Sequence, residues 1–124
     1  MKFFKCNICG NLVELITNGG GELVCCEEPM EELIPKTKDE GNEKHVPVFE
    51  KENGKVTVKV GSVPHPMEEK HYIEWIIVKH GDKIERITLN HNDQPEGIFY
   101  NIEDDITEIY EYCNIHGLWK NEIK

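Results

Sequence analysis

The sequence predicts a mostly β protein, with a small metal-bound N-terminal domain followed by an antiparallel β-sandwich. Three observations carry this expectation. Four of the five cysteines fall within the first 26 residues. Short apolar runs separated by Gly- and Asn-rich turns fill the chain from residue 43 onward. No stretch shows the apolar spacing of a convincing amphipathic helix, so sheet packed on sheet is the way left to bury the apolar faces.

Length and composition bound the architecture. At 124 residues the chain is short for two ordinary domains, yet long enough for one domain with a core and a small appendage. Hydrophobic residues at 38% and charged residues at 31% describe a chain that folds rather than a disordered one. Lys and Arg total 14 against 24 Asp and Glu, a net charge of −10 with no basic stripe interleaved with aromatics, which excludes nucleic acid as a partner. Met1-Lys2-Phe3-Phe4-Lys5-Cys6 carries no apolar leader-like run, and runs such as Trp75-Ile76-Ile77-Val78 are too short to span a bilayer. A cytoplasmic protein with no membrane partner is the expectation.

The N-terminal segment holds Cys6-Asn7-Ile8-Cys9-Gly10, a turn at Gly19-Gly20-Gly21, and the adjacent pair Cys25-Cys26. An odd total of five cysteines suits a disulfide framework poorly and metal ligation well. Cys-x-x-Cys bends the backbone so that both sulfurs reach one ion, and a second pair completes a tetrahedron for zinc or a single iron. A segment this short buries little apolar surface, so metal binding must supply much of its folding free energy. A structural zinc site is the plain alternative. Adjacency of Cys25 and Cys26 argues against it, because zinc ribbons repeat the Cys-x-x-Cys spacing. Pro35 to Asn42 is polar and aperiodic and reads as a linker, giving domains of residues 1–36 and 37–124.

Strand signals fill the second part. Val46 to Phe49 and Val56 to Val60 flank Asn53-Gly54, the strongest short-range hairpin signal, with Val56, Val58 and Val60 on one face. Tyr72 to Lys79 and Lys83 to Leu89 bracket His80-Gly81-Asp82, and shorter runs follow at Ile98 to Ile102 and Ile106 to Tyr112.

Between these strands lie donors. Prolines on both sides of His65 remove two backbone N–H groups and favour extended geometry, so Pro64-His65-Pro66 is a stiff loop able to aim an imidazole. His71 follows, and Cys113 and His116 have chelating spacing. Glu43-Lys44-His45 adds a further imidazole. A structural zinc needs four ligands and has no redox chemistry, so four imidazoles and one thiolate point to five-coordinate iron with an open position acting on a small ligand. Glu68, Glu69 and Lys70 read as a solvated loop, His80 and His91 as surface residues beside turns, and Trp75 and Trp119 as packing beneath the site.

Taken together, Cys6-Asn7-Ile8-Cys9-Gly10, Cys25-Cys26, Glu43-Lys44-His45-Val46-Pro47, Gly61 to His71 and Cys113-Asn114-Ile115-His116-Gly117 resemble the desulfoferrodoxin family, the two-iron superoxide reductases, from end to end. The resemblance implies a desulforedoxin-like domain whose Cys6, Cys9, Cys25 and Cys26 hold one iron. It implies an immunoglobulin-like sandwich whose second iron takes His45, His65, His71 and His116 with Cys113 as axial thiolate. It further implies one-electron reduction of superoxide to hydrogen peroxide, with Lys44 steering the anion and Glu43 closing the vacant position in the resting state. Electrons would come from rubredoxin or a similar small donor, and the protein would be a homodimer. The competing reading is a non-catalytic iron electron carrier or metal-binding module in which the four-cysteine domain is the working part.

Overall fold

The protein is described by a computed structural model covering residues 1–39, 45–61 and 65–123. Its contacts divide it into two compact units, Met1–Ile34 and Pro35–Lys124.

The first unit is a three-stranded antiparallel sheet and a short hairpin. Strands β1 (Lys2–Lys5), β2 (Leu12–Leu15) and β5 (Glu31–Leu33) pair in the order β2-β1-β5, while β3 (Val24–Cys25) pairs with β4 (Glu28–Pro29). Only Phe3 and Cys6 of this unit are buried. Two buried side chains cannot offset the chain entropy of some thirty residues, at about 1–2 kcal/mol each.

The second unit is a seven-stranded sandwich with no helix among the described residues. Its first sheet joins β6 (Pro47–Glu52), β7 (Lys55–Val60) and β10 (Glu96–Phe99) in the order β10-β7-β6. Its second joins β8 (Ile73–His80), β9 (Lys83–Thr88), β11 (Ile106–Cys113) and β12 (Gly117–Glu122) in the order β12-β11-β8-β9, and every pairing is antiparallel. The Asn53-Gly54 turn connects β6 to β7 with φ of 52° and 80°, the double left-handed geometry whose twist matches a hairpin. Val56, Val58 and Val60 then meet Ile73, Ile76, Val78, Ile109 and Cys113 in one core. Gly97 brings the sheets close at one point, since a Cβ there would lie 2.2 Å from Ile87 Cδ1.

Two departures from the sequence expectations have clear causes. His80 is buried rather than on the surface, because its Nε2 lies 2.5 Å from Glu85 Oε2 across the β8–β9 hairpin and its Nδ1 lies 3.7 Å from Asp104 Oδ2. The segment expected as a linker is partly ordered onto the sandwich: Lys36 forms a parallel bridge with Trp119.

Glu108 of β11 accepts from Lys120 Nζ at 2.6 Å, Lys79 Nζ at 3.3 Å and the Tyr110 hydroxyl at 2.9 Å. Burial pushes its carboxyl up, but the bonds from Lys120, Tyr110 and Lys79 outweigh it and hold the carboxyl down at about 2. A depressed folded value stabilises the fold above the unfolded carboxylate range and ceases to do so as pH falls through the folded value. Urea midpoints of wild type and Glu108→Gln should therefore differ in favour of wild type at pH 7. That gap should narrow from about pH 4.5 towards pH 2; a gap independent of pH would contradict the assignment.

Candidate metal centres

In the first unit Cys6 and Cys9 flank a tight knuckle. The Gly10 N–H donates to the Cys6 carbonyl at 3.0 Å, the Cys9 N–H to Cys6 Sγ at 3.4 Å and the Asn11 N–H to Cys9 Sγ at 3.5 Å. Gly10 takes the positive φ of 83° that lets the chain turn back. The second pair comes from the β3–β4 hairpin, where Cys26 and Glu27 occupy the two turn positions with φ of 54° and 65°. Left-handed backbone costs a side-chain-bearing residue about 1–2 kcal/mol, so this turn stores strain that swings adjacent thiols onto one point. That is how a contiguous Cys-Cys pair does the work of Cys-x-x-Cys.

The four sulfurs have the spacing of a tetrahedron. Metal–sulfur bonds near 2.3 Å put sulfurs about 3.8 Å apart. Cys9 and Cys25 Sγ stand 3.6 Å apart and Cys25 and Cys26 Sγ 4.0 Å apart, far beyond a disulfide bond. Their protonation also calls for a cation. Backbone N–H groups of Cys9 and then Ile8 pull the Cys6 thiol down to about 6. Cys9, Cys6 and Cys25 push Cys26 up to about 12, because neighbouring sulfurs resist a further negative charge. A metal ion removes that conflict and lets all four ionise.

In the second unit five donors from three separate regions converge. His45, His65, His71, His116 and Cys113 present ligand atoms that all lie within 4.8 Å of one another, as do the four N-terminal sulfurs among themselves. The imidazoles touch edge to face in a closed ring. Centroids are 4.5 Å apart for His45–His65, 4.9 Å for His65–His71, 4.9 Å for His71–His116 and 4.7 Å for His116–His45. His45 Nε2 faces His65 Nε2 at 2.9 Å, and His71 Nε2 faces His116 Nδ1 at 3.2 Å. Nitrogens at adjacent corners around a metal with bonds of about 2.1 Å lie about 3.0 Å apart.

Each donor has its own brace. His65 Nδ1 donates to the Pro66 carbonyl at 2.7 Å, which leaves Nε2 as the lone-pair nitrogen of a neutral ring. Asp39 accepts from the His45 N–H and, at 3.1 Å, from the Val46 N–H. His71 ends a turn closed by reciprocal backbone bonds with Glu68 at 2.9 and 3.0 Å. Asn114 clamps the two residues around His71, accepting from the Tyr72 N–H at 2.9 Å and donating to the Lys70 carbonyl at 3.1 Å. Cys113 pairs with Ile73 across a register shift in the β11–β8 pairing, where β8 carries the extra residue, Glu74. Gly117, with φ of 85°, completes the tight return that places His116 beside it. The His116 N–H then donates to Cys113 Sγ at 3.4 Å.

Trp119 stacks on His45 at 4.7 Å with an interplanar angle of 13° and donates its indole N–H to the His116 carbonyl at 3.1 Å. Trp75, expected to share that role, stacks on Tyr112, the residue before Cys113. Asp39 and Asn114 were not singled out by sequence reasoning. Asn114 stands between two ligating-type residues, a position that could have flagged it; Asp39 had no such signal. Glu43 and Lys44 lie outside the described residues, and Glu68, Glu69 and Lys70 are exposed as expected. Beneath the site Glu111 is fully buried on the Ile109 and Cys113 face of β11, with neither carboxylate oxygen partnered among the described residues. Burial, then the charge of Asp39, pushes its carboxyl well above the usual range.

Comparison with known proteins agrees with this arrangement. The family model described as desulfoferrodoxin matches residues 37–122, and that of the desulfoferrodoxin N-terminal domain matches residues 1–33. A desulfoferrodoxin homolog of Archaeoglobus fulgidus is 52% identical over 98% of this chain and 96% of its own length. The chain belongs to the desulfoferrodoxin family. A superoxide reductase of Pyrococcus horikoshii is 36% identical over 72% of this chain and 93% of its own length. The crystal structure of the superoxide reductase from Treponema pallidum superposes with a TM-score of 0.82 at 33% identity, covering 98% of this chain and 97% of that one. In this chain the two donor sets fit two iron sites: four sulfurs at tetrahedral spacing, and five N/S donors within 4.8 Å of one another.

Proposed function

We propose that this chain is a superoxide reductase. The observation that carries the reading is the five-donor cluster of His45, His65, His71, His116 and Cys113, one donor more than a closed tetrahedral site uses. We assign residues 1–36 to an iron domain ligated by Cys6, Cys9, Cys25 and Cys26, and residues 37–124 to the catalytic domain. His45, His65, His71, His116 and Cys113 would hold ferrous iron, which when bound would supply the single electron that, with two protons, converts superoxide to hydrogen peroxide.

The chain's own groups set the conditions for that transfer. Around a ferrous ion, four neutral imidazoles and a single thiolate would leave one net positive charge, which would attract an anion. Buried Cys113 is the single sulfur donor of the set, and the His116 N–H donates to that sulfur. Trp119 and Asp39 hold His45, while Asn114 holds the turn that carries His71. We assign Lys44 Nζ to drawing superoxide towards the open position, against the repulsion of a chain of net charge −10, and Glu43 to closing that position in the resting state. The electron donor we infer is rubredoxin or a similar small iron protein, acting on a cytoplasmic homodimer.

Metal analysis with visible spectroscopy tests the reading. Two irons per chain are expected, with one thiolate-to-iron band bleached by ascorbate and restored by superoxide. One tetrathiolate metal and a spectrally silent second unit, after reconstitution with ferrous iron, would defeat it. Lys44→Ala should slow second-order superoxide reduction about tenfold at low salt, within the 10 to 1,000-fold range of electrostatic steering, with iron content unchanged. An unaltered rate would remove Lys44 from that role.

A further inference from the structure

Lys36 lies just beyond the first unit and is fixed to the edge of β12. Its N–H donates to the Leu118 carbonyl at 2.9 Å, and its carbonyl accepts from the Lys120 N–H at 2.9 Å. From this pinned backbone its ammonium donates to the His116 carbonyl at 3.0 Å and lies 5.1 Å from the centre of the Trp119 ring. The same carbonyl takes the Trp119 indole N–H at 3.1 Å, and that indole stacks on His45 at 4.7 Å. Ammonium, indole and imidazole thus form one connected group that ends on two of the five converging donors.

An ordinary surface lysine is screened by water and gains little from any one contact. Lys36 is itself exposed, but its backbone is bonded on both sides and its charge is bound to the carbonyl of a donor residue, which fixes its distance from that residue. A cation held near a metal favours the state carrying one more electron, and two hydrogen bonds into the His116 carbonyl draw electron density the same way.

We propose that Lys36 is a positioning residue for the second centre, holding through His116 and the Trp119–His45 stack a fixed positive charge that raises its reduction potential and favours the reduced, superoxide-reactive state. This rests on reading the five donors as an iron site. It is separate from the steering assigned to Lys44, because it acts on the metal's electron affinity rather than on the approach of the anion.

Spectroelectrochemical titration of the two-iron protein tests it, read at the thiolate-to-iron band of the second centre. At the wild-type midpoint, Lys36→Gln should move the oxidised-to-reduced ratio about threefold towards oxidised, which is about 28 mV at 59 mV per tenfold for one electron. Lys36→Arg should restore the wild-type ratio, and added salt should shrink the Lys36→Gln shift. Trp119→Phe keeps a ring to stack and loses the N–H to His116, and should move the ratio in the same direction. An unmoved ratio in Lys36→Gln with the band intact overturns the proposal, as does an equal shift in Lys36→Arg. A wild-type protein that shows no such band after iron loading overturns the reading of the site itself, and the proposal with it.

Discussion

Cys113→Ser is expected to abolish the thiolate-to-iron band of the second centre and to leave the spectrum of the first centre intact. Cys113 is fully buried at the end of β11 and is the single sulfur among the five donors. A serine hydroxyl fits the space but does not ionise near neutral pH, so the site loses its only anionic donor while keeping its shape. Changes to groups that merely orient ligands cost about 10–100-fold in metal affinity or activity, and loss of a ligand should exceed the upper end of that range. Superoxide reduction measured by stopped flow should therefore fall at least about 100-fold. Persistence of the band in the variant would mean that the sulfur does not ligate.

The second large effect concerns the first unit. Cys9→Ser leaves three thiolates around a site whose two hairpins have little else to hold them, since Phe3 and Cys6 are the buried residues of that unit. Tetrahedral thiolate-rich sites in small domains contribute about 10–16 kcal/mol of apparent folding free energy. Without it, the left-handed turn at Cys26 and Glu27 has nothing to offset its strain. Amide exchange across β1, β2 and β5 should rise to the rate of an unfolded chain. Protection of β8 and β11 should persist, because Ile73, Ile76, Val78 and Ile109 are packed in a core that none of the four N-terminal cysteines joins. Slow exchange in β1 of the variant would show that the first unit folds on packing alone.

Much of this was legible in the sequence because it is carried by residues with few alternative uses. Asn53-Gly54 specifies a tight hairpin by its φ preference, and the alternation of Val56, Val58 and Val60 specifies the buried face. Cysteine pairs and a proline-flanked His65 announce donors. What was hidden depends on partners remote in sequence. Strand β12 has little alternation of its own and forms because β11 offers a pairing edge from Glu108 to Cys113. Ile102 looked like the end of a strand, but its N–H donates to the Gly54 carbonyl at 2.9 Å while its side chain fills the core. His80 beside a turn looked solvated because Asp104, one of its two carboxylate neighbours, lies 24 positions away. The stack of Trp119 on His45 brings together residues 74 positions apart, and no local pattern encodes it.

The unequal donor counts of the two centres bear on competition among metals. Divalent affinities rise through the first-row series past iron, so raw affinity would hand both sites to zinc or copper. Four sulfurs at tetrahedral spacing offer zinc all it prefers, and nothing in that geometry rejects it. The ring of four imidazoles with a thiolate offers one donor too many for a tetrahedron, and the braces from Pro66, Asn114 and Trp119 keep any one of them from swinging away. One chain therefore carries a permissive site and a discriminating one. Under zinc excess the first centre is therefore expected to be captured before the second, which metal analysis of the two sites after zinc exposure would check.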